Sequence, residues 1–314
     1  MKLLAQGSWS PDNNHWHIEQ SMIEQQHVLT SDLALMWSPT GIKKLALSIH
    51  ETDAAILYEH WLQPFLYDTA ISDLSLMGEI AAEFSRANDD YQVHLALSDI
   101  DVNDNLNLFE FEDISGQLAW TSGQQAIPIN LFWQRAELLS LPIGQSQFNA
   151  VTQANQLKLG SPWYIPLLDG QLDINQFELI RSGETLQWQF AGALQPISMP
   201  ILSQRLGWPE MEGKLSGIIP KVSYRDQQIQ VDGALQVNIF EGTSTISNLR
   251  LADPFGAIPQ LYADIDLDNF DLETMTKTYD FGDMTGTVSG EVTNLRLANW
   301  QPVAFDGYLE TPEN

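Results

Sequence analysis

The sequence predicts a mainly β fold: an elongated, curled antiparallel sheet with a few short helices. Three observations carry that expectation. Apolar and polar residues alternate with period two along most of the chain. Helix signals are sparse, and each covers only two or three turns, too short to stand alone in water. The order strand, short helix, glycine-spaced strand also recurs, as in stacked repeats that cannot bury their own face singly.

Taken in order, residues 1–5 begin like a signal peptide, but Gln6, Ser8 and Ser10 end the apolar run too early. Polar turns are expected at 10–14, 86–90 and 225–228. Leu45, Leu47 and Ile49 share one strand face; Thr52 or Asp53 then caps a helix reaching about Leu62, with Leu57/Trp61 and Tyr58/Leu62 at i,i+4 spacing and Pro64 as its limit. Strand character returns at Leu74, Leu76 and Gly78, and continues through Val93, Leu95 and Leu97 and through Leu131 and Trp133. Ser161-Pro162-Trp163 marks the best boundary, dividing the chain into 1–162 and 163–314.

Beyond it, Leu172 and Ile174 alternate with Gln171, Asp173 and Asn175, and Leu186, Trp188 and Phe190 alternate with Gln187 and Gln189. Ser198 caps a second helix, with Pro200 in its first turn, Gly207 as a left-handed stop and Pro209 beyond. Leu235, Val237 and Ile239 alternate with Gln236 and Asn238. Leu261, Ala263, Ile265 and Leu267 oppose Asp264, Asp266 and Asp268, and Asp271 caps a third helix. Gly282, Gly286 and Gly290 fall within a strand-like pattern of Met284, Val288 and Val292, where they permit twist, bulges or close backbone approach. Aligning Gly78, Gly213 and Gly286 gives a repeat of about seventy residues, with one copy blurred around residue 145.

Composition removes several functions. The chain has 314 residues, 44% of them hydrophobic, so a real core is attainable. Lys and Arg total 14 against 41 Asp and Glu, a net charge of −27 that disfavours nucleic acid and adhesion to an anionic bilayer through the general surface. Cysteine is absent, which excludes disulfides, thiolate metal sites and cysteine nucleophiles. No window approaches the ~20 apolar residues of a spanning helix.

Catalytic signatures are missing as well: there is no Gly-x-Ser-x-Gly elbow, no phosphate loop and no His-Glu-x-x-His. The expectation is a protein that is not an enzyme and uses no cofactor or metal. Two patterns resemble metal sites. His15, His17 and His27 could form a zinc trio if a hairpin joined them. Asp99, Asp101, Asn103, Asn105 and Glu110 match positions 1, 3, 5, 7 and 12 of a calcium loop, but Asp104 replaces the required glycine and the flanks read as strand. Asp264, Asp266, Asp268, Asp271 and Glu273 read as a solvated face, although any two acids that meet in space could serve glycoside hydrolysis. The ten tryptophans fall mainly on apolar sides, which favours burial over sugar stacking.

Residues 261–311 resemble the end of the AsmA-like/TamB-like envelope proteins, closest to the YdbH type sometimes labelled "dicarboxylate transport". The likeness rests on Asp271-Leu272-Glu273-Thr274, Phe281-Gly282 with Gly286 and Gly290, and the segment Trp300-Gln301-Pro302-Val303-Ala304-Phe305-Asp306. A second block runs from Gly192 through Pro196, Ile197, Ser198 and Met199 to Gly207-Trp208-Pro209, Gly213 and Leu215-Ser216-Gly217-Ile218-Ile219-Pro220. The resemblance implies a U-shaped β-groove anchored in the inner membrane of a Gram-negative bacterium, crossing the periplasm and conducting phospholipid to the outer membrane. The chain departs from it by lacking the N-terminal anchor and most of the usual length, so an excised segment is expected, with the rest of the envelope protein as a partner. The dicarboxylate label fits poorly with a charge of −27.

The expected function is a periplasmic, non-catalytic segment that holds phospholipid or another acyl-chain ligand. Its lining would include Leu172, Ile174, Leu186, Trp188, Phe190, Leu235, Val237, Ile239, Ile265 and Leu267. A carbohydrate-binding or glycan-cleaving β protein and a structural envelope module are the alternatives. Period two by itself does not separate an open groove from a closed sandwich.

Overall fold

Long alternating strands joined by tight turns produce antiparallel ladders between sequence neighbours. The computed structural model describes residues 2–11, 15–25, 29–66, 72–105, 108–138, 140–183, 185–207, 212–254, 258–279, 282 and 284–311. The described chain is mainly β, with short helices at three places. It divides into two compact units, one of residues 1–139 and 145–160, the other of 140–144 and 161–314.

The first unit begins with β1 (Lys2–Ser10), β2 (His15–Gln25), β3 (Leu29–Ser38) and β4 (Gly41–Asp53). A helical segment follows, and then β5 (Leu74–Ala87), β6 (Asp90–Asp104) and β7 (Phe109–Thr121). Each of these strands pairs antiparallel with the next. Strand β7 then pairs with both β8 (Ile127–Trp133) and β9 (Arg135–Leu138). In the second unit lies the short β10 (Leu141–Ile143); the first unit closes with β11 (Ser146–Gln153) and β12 (Gln156–Leu159). Strand β11 pairs with β8 and β12.

The second unit continues with β13 (Trp163–Leu167), β14 (Gly170–Ser182) and β15 (Thr185–Ser198), a helix, and β16 (Lys214–Arg225). Next to β16 lie two short strands, β17 (Gln228–Val231) and β18 (Leu235–Ile239), and both of them also pair with β19 (Gly242–Ala252). The ladder ends with β20 (Gln260–Asp271), a helix, β21 (Thr287–Ala298) and β22 (Gln301–Glu310).

Three helical insertions obey one rule. Helix α1 (Ala54–Leu57) joins β4 to β5, α2 (Met199–Leu206) joins β15 to β16, and α3 (Leu272–Tyr279) joins β20 to β21. In each case the residue before the helix pairs with the residue after a glycine of positive φ. The pairs are Asp53↔Glu79 after Gly78, Ser198↔Lys214 after Gly213, and Asp271↔Thr287 after Gly286. The first amides of α2 and α3 donate to the glycine carbonyls, Met199 N to Gly213 O (3.0 Å) and Leu272 N to Gly286 O (2.9 Å). The glycine spacing therefore reports a structural register. No helix stands at the blurred copy near residue 145; the chain there runs through β10 and β11.

Several local expectations need correcting. The first helix is α-helical only to Leu57, then widens into a π turn (Tyr58–Leu62) and a 3-10 turn (Gln63–Phe65). Leu57 and Tyr58 are buried while Trp61 and Leu62 stay exposed, because the wider turn breaks the i,i+4 stripe. Ser198 occupies the cap position of α2 but does not cap it; its hydroxyl donates to Asp169 Oδ2 (2.6 Å) and its amide to Asp169 Oδ1 (2.9 Å). Gly282, Met284 and Gly286 precede β21 and are not part of a strand. Gly290 does lie in a strand, where a β-carbon would stand 2.1 Å from the Tyr308 carbonyl oxygen.

Bulges are the feature that alternation conceals. Asp99, Asp113, Asn248, Asn269 and Asn294 all have φ between 51° and 55° and mark register shifts in their ladders. Asp and Asn tolerate this left-handed conformation better than bulkier residues. A bulge leaves an amide without a ladder partner, and a side chain on the neighbouring strand takes it. Asp99 N donates to Ser115 Oγ (3.0 Å), Asp113 N to Asp101 Oδ1 (2.9 Å), Asn269 N to Ser289 Oγ (3.0 Å) and Asn294 N to Asp264 Oδ1 (2.7 Å).

Candidate functional site

Directly opposed residues in an antiparallel ladder share a face, so the registers map the second unit's two surfaces. One row runs Leu179, Trp188, Tyr224, Ile229, Leu251, Leu261 and Leu297 across seven strands. Another runs Leu172, Leu194, Gly217, Val237, Ser244, Leu267, Gly290 and Leu309. Between these rows lie Leu235, Ile246, Ile265 and Val292. The opposite face carries a polar row: Glu178, Gln189, Ser223, Gln230, Arg250, Tyr262 and Arg296.

The ladder brings all ten candidate lining residues to the apolar face. Leu172, Trp188, Phe190, Leu235, Val237, Ile239, Ile265 and Leu267 are half-buried there, Leu186 is 50% exposed at the end of β15, and Ile174 is buried beside Gly192. Paired bulges on β14, β15, β16, β19, β20 and β21 keep these residues in phase over long strands.

Helices close one end of this face. Ile197, Met199 and Leu202 form a buried cluster, against which Leu194, Leu215 and Ile239 pack. Phe240, Phe270 and Val288 form a second, joined by Ile239, Leu267, Leu272 and Met275 of α3. At the other end Trp188 stacks on Phe190 (5.9 Å between centroids) and on Tyr224 (5.6 Å). The apolar face is thus plugged by α2 and α3 at one end and bordered by aromatic rings at the other.

The protein exposes 19,018 Å². A compact globular monomer of this mass would expose about 13,000 Å², and two separate globular bodies of half the mass about 16,000 Å². The excess agrees with the many strand residues that are half-buried rather than buried.

The polar face holds a cavity of about 380 Å³ lined by Glu178, Gln187, Gln189, Ser223, Arg225 and Gln230 among others, where Arg225 Nε donates to Gln187 Oε1 (3.1 Å). The first unit has a cavity of about 240 Å³ whose lining mixes Leu33, Leu47 and Phe84 with Asp32, Glu83 and His94.

The clustered acids have structural partners. Asp264 accepts from Asn248 Nδ2 (2.7 Å) and from the Asn294 amide, so it holds bulges on both flanking strands; these bonds, Asn248's foremost, lower its pKa. It is therefore more than part of a solvated face, unlike the exposed Asp266 and Asp268. Asp271 accepts the Thr274 amide (2.7 Å) and hydroxyl (2.8 Å), as a helix cap should, and its pKa is lowered by them.

Asp99, Asp101 and Asn103 are strung along β6, Asn105 follows it, and Glu110 lies on β7 opposite Asn103. Asp101 holds the Asp113 amide, and Asn105 donates to Asp73 Oδ1 (2.7 Å), so these residues do not wrap a common centre. His15 and His17 share a strand, while His27 lies outside the described residues. Among the described residues no group of three His, Asp or Glu could hold a metal, and no helix is long and apolar enough to cross a membrane. No family model, curated protein or solved structure matches the chain.

Proposed function

We propose that the second unit holds lipid acyl chains on its apolar face, without catalysis, as a segment of a phospholipid-transfer protein in the periplasm of a Gram-negative bacterium. The carrying observation is the apolar row from Leu179 to Leu297, spread over seven strands and half-buried along its length. Acyl chains need a continuous apolar surface and no chemistry; each methylene removed from water contributes about 0.8 kcal/mol. The resemblance to AsmA-like/TamB-like envelope proteins supports the same reading.

Native mass spectrometry of gently purified protein should reveal bound phospholipid, and the protein should take up a fluorescent phospholipid. Val237→Asp should abolish uptake with the fold retained, since Val237 is half-buried on the apolar face, between Gly217 and Ser244, and belongs to neither buried cluster. Ile239→Asp should unfold the unit, because Ile239 packs against both buried clusters. No bound lipid together with no uptake sinks the proposal, and so does unfolding by Val237→Asp.

A further inference from the structure

Resting on that reading, we infer that Arg181 anchors the phosphate of the bound lipid, whose chains then run along the apolar face toward α2. Among the described strand residues on the second unit's apolar face, Arg181 is the one that carries a charge. Its position is set by register. Phe177, Leu179 and Arg181 follow one another on β14, opposite Phe190, Trp188 and Leu186 on β15, so the cation stands beyond the aromatic border at the unplugged end.

The side chain is exposed, and its Nε donates to the Gly183 carbonyl (3.2 Å). That bond engages Nε, and the two terminal nitrogens have no carboxylate in ion-pair range among the described residues.

The order along the stripe is that of an amphiphile. Arg181 offers a fork suited to phosphate oxygens. Next come Trp188 and Tyr224, rings suited to the boundary between wet and apolar surroundings. Then follow aliphatic residues, ending on Met199 and Leu202 of α2. The occupant is therefore a phosphodiester lipid in one orientation, and not an uncharged lipid or a free anion.

The test titrates the full chain with two monomeric amphiphiles of equal chain length, palmitoyl lysophosphatidylglycerol and palmitoyl monoglycerol, and reads tryptophan fluorescence. Arg181→Gln should weaken the phosphate-bearing lipid about tenfold, the scale of one charge-assisted contact, and leave the monoglycerol unchanged; Arg181→Lys should restore part of the loss. An unchanged lysophospholipid affinity, an equal loss for both amphiphiles, or competition by inorganic phosphate at the lysolipid's own concentration would overturn the role of Arg181 while leaving the lipid-holding reading in place. If the unsubstituted protein binds neither amphiphile, that reading falls, and the anchor with it.

Discussion

At the residue scale, the acids of this chain act mainly on its own backbone. Asp101 and Asp264 take bulge amides, Asp271 caps α3, and Asp169 takes the Ser198 amide and hydroxyl, the latter bond being the larger cause of its lowered pKa. In the sequence they look like a calcium pattern or a wet strand face, because spacing shows which acids are near one another but not which amide has lost its ladder partner. The usable signal is a lone Asn or Asp that breaks apolar alternation, as Asn269 and Asn294 do. Asp271→Ala should lower stability by about 1 kcal/mol, as for other caps, while Asp271→Asn should lower it less. The pH dependence follows from the direction of the shifts. Carboxylates whose native pKa is depressed contribute stability that is complete above the unfolded value of about 3.9 and is lost as pH falls through the native value. Thermal melts should therefore drop on acidification below about pH 4, and the drop should be shallower for a protein carrying Asp169→Asn and Asp271→Asn together. An unchanged slope would show that these bonds do not couple to folding.

At the scale of elements, the hairpin-with-helix unit was legible because its parts leave sequence marks: an apolar alternation, a cap residue, and a glycine that must adopt positive φ. Of the expected caps, Asp53 (of Thr52 or Asp53) and Asp271 cap their helices, Ser198 holds the cap position without capping, and the glycine alignment falls on equivalent register positions. What a helix cap does with its hydroxyl was not legible, because Asp169, which takes the Ser198 hydroxyl, lies 29 residues away in the chain. Nor was the π turn, at whose start the buried Tyr58 accepts the Leu74 amide (3.2 Å). Gly290 offers a test of close strand approach. Gly290→Ala would push a methyl group into the Tyr308 carbonyl and force β21 and β22 apart. Amides of β22 should then lose protection in hydrogen exchange, with β14 and β15 unaffected. Uniform loss across the unit would instead mean that β22 unfolds only with the rest.

At the scale of the whole molecule, the question is what the apolar residues do if few of them are sealed in a core. The alternation fixed which residues share a face, and the ladder shows how far that face extends, yet period two is identical for an open sheet and for half of a sandwich. The difference lies in whether a second layer exists, a non-local property that strand periodicity does not encode. It has a calorimetric consequence. Heat-capacity change on unfolding scales with the apolar surface that becomes exposed, and ordinary globular proteins of 314 residues give about 3.8–4.7 kcal/mol/K. Here the apolar row from Leu179 to Leu297 is only half-buried in the native state, so lipid-free protein should fall clearly below that range. Saturation with phospholipid should also raise the melting temperature with lipid concentration, since a ligand held only by the folded face stabilises it by mass action. A lipid-free heat-capacity change within the ordinary range would mean that the apolar face is sealed in solution, and the lipid-holding reading would lose its physical basis.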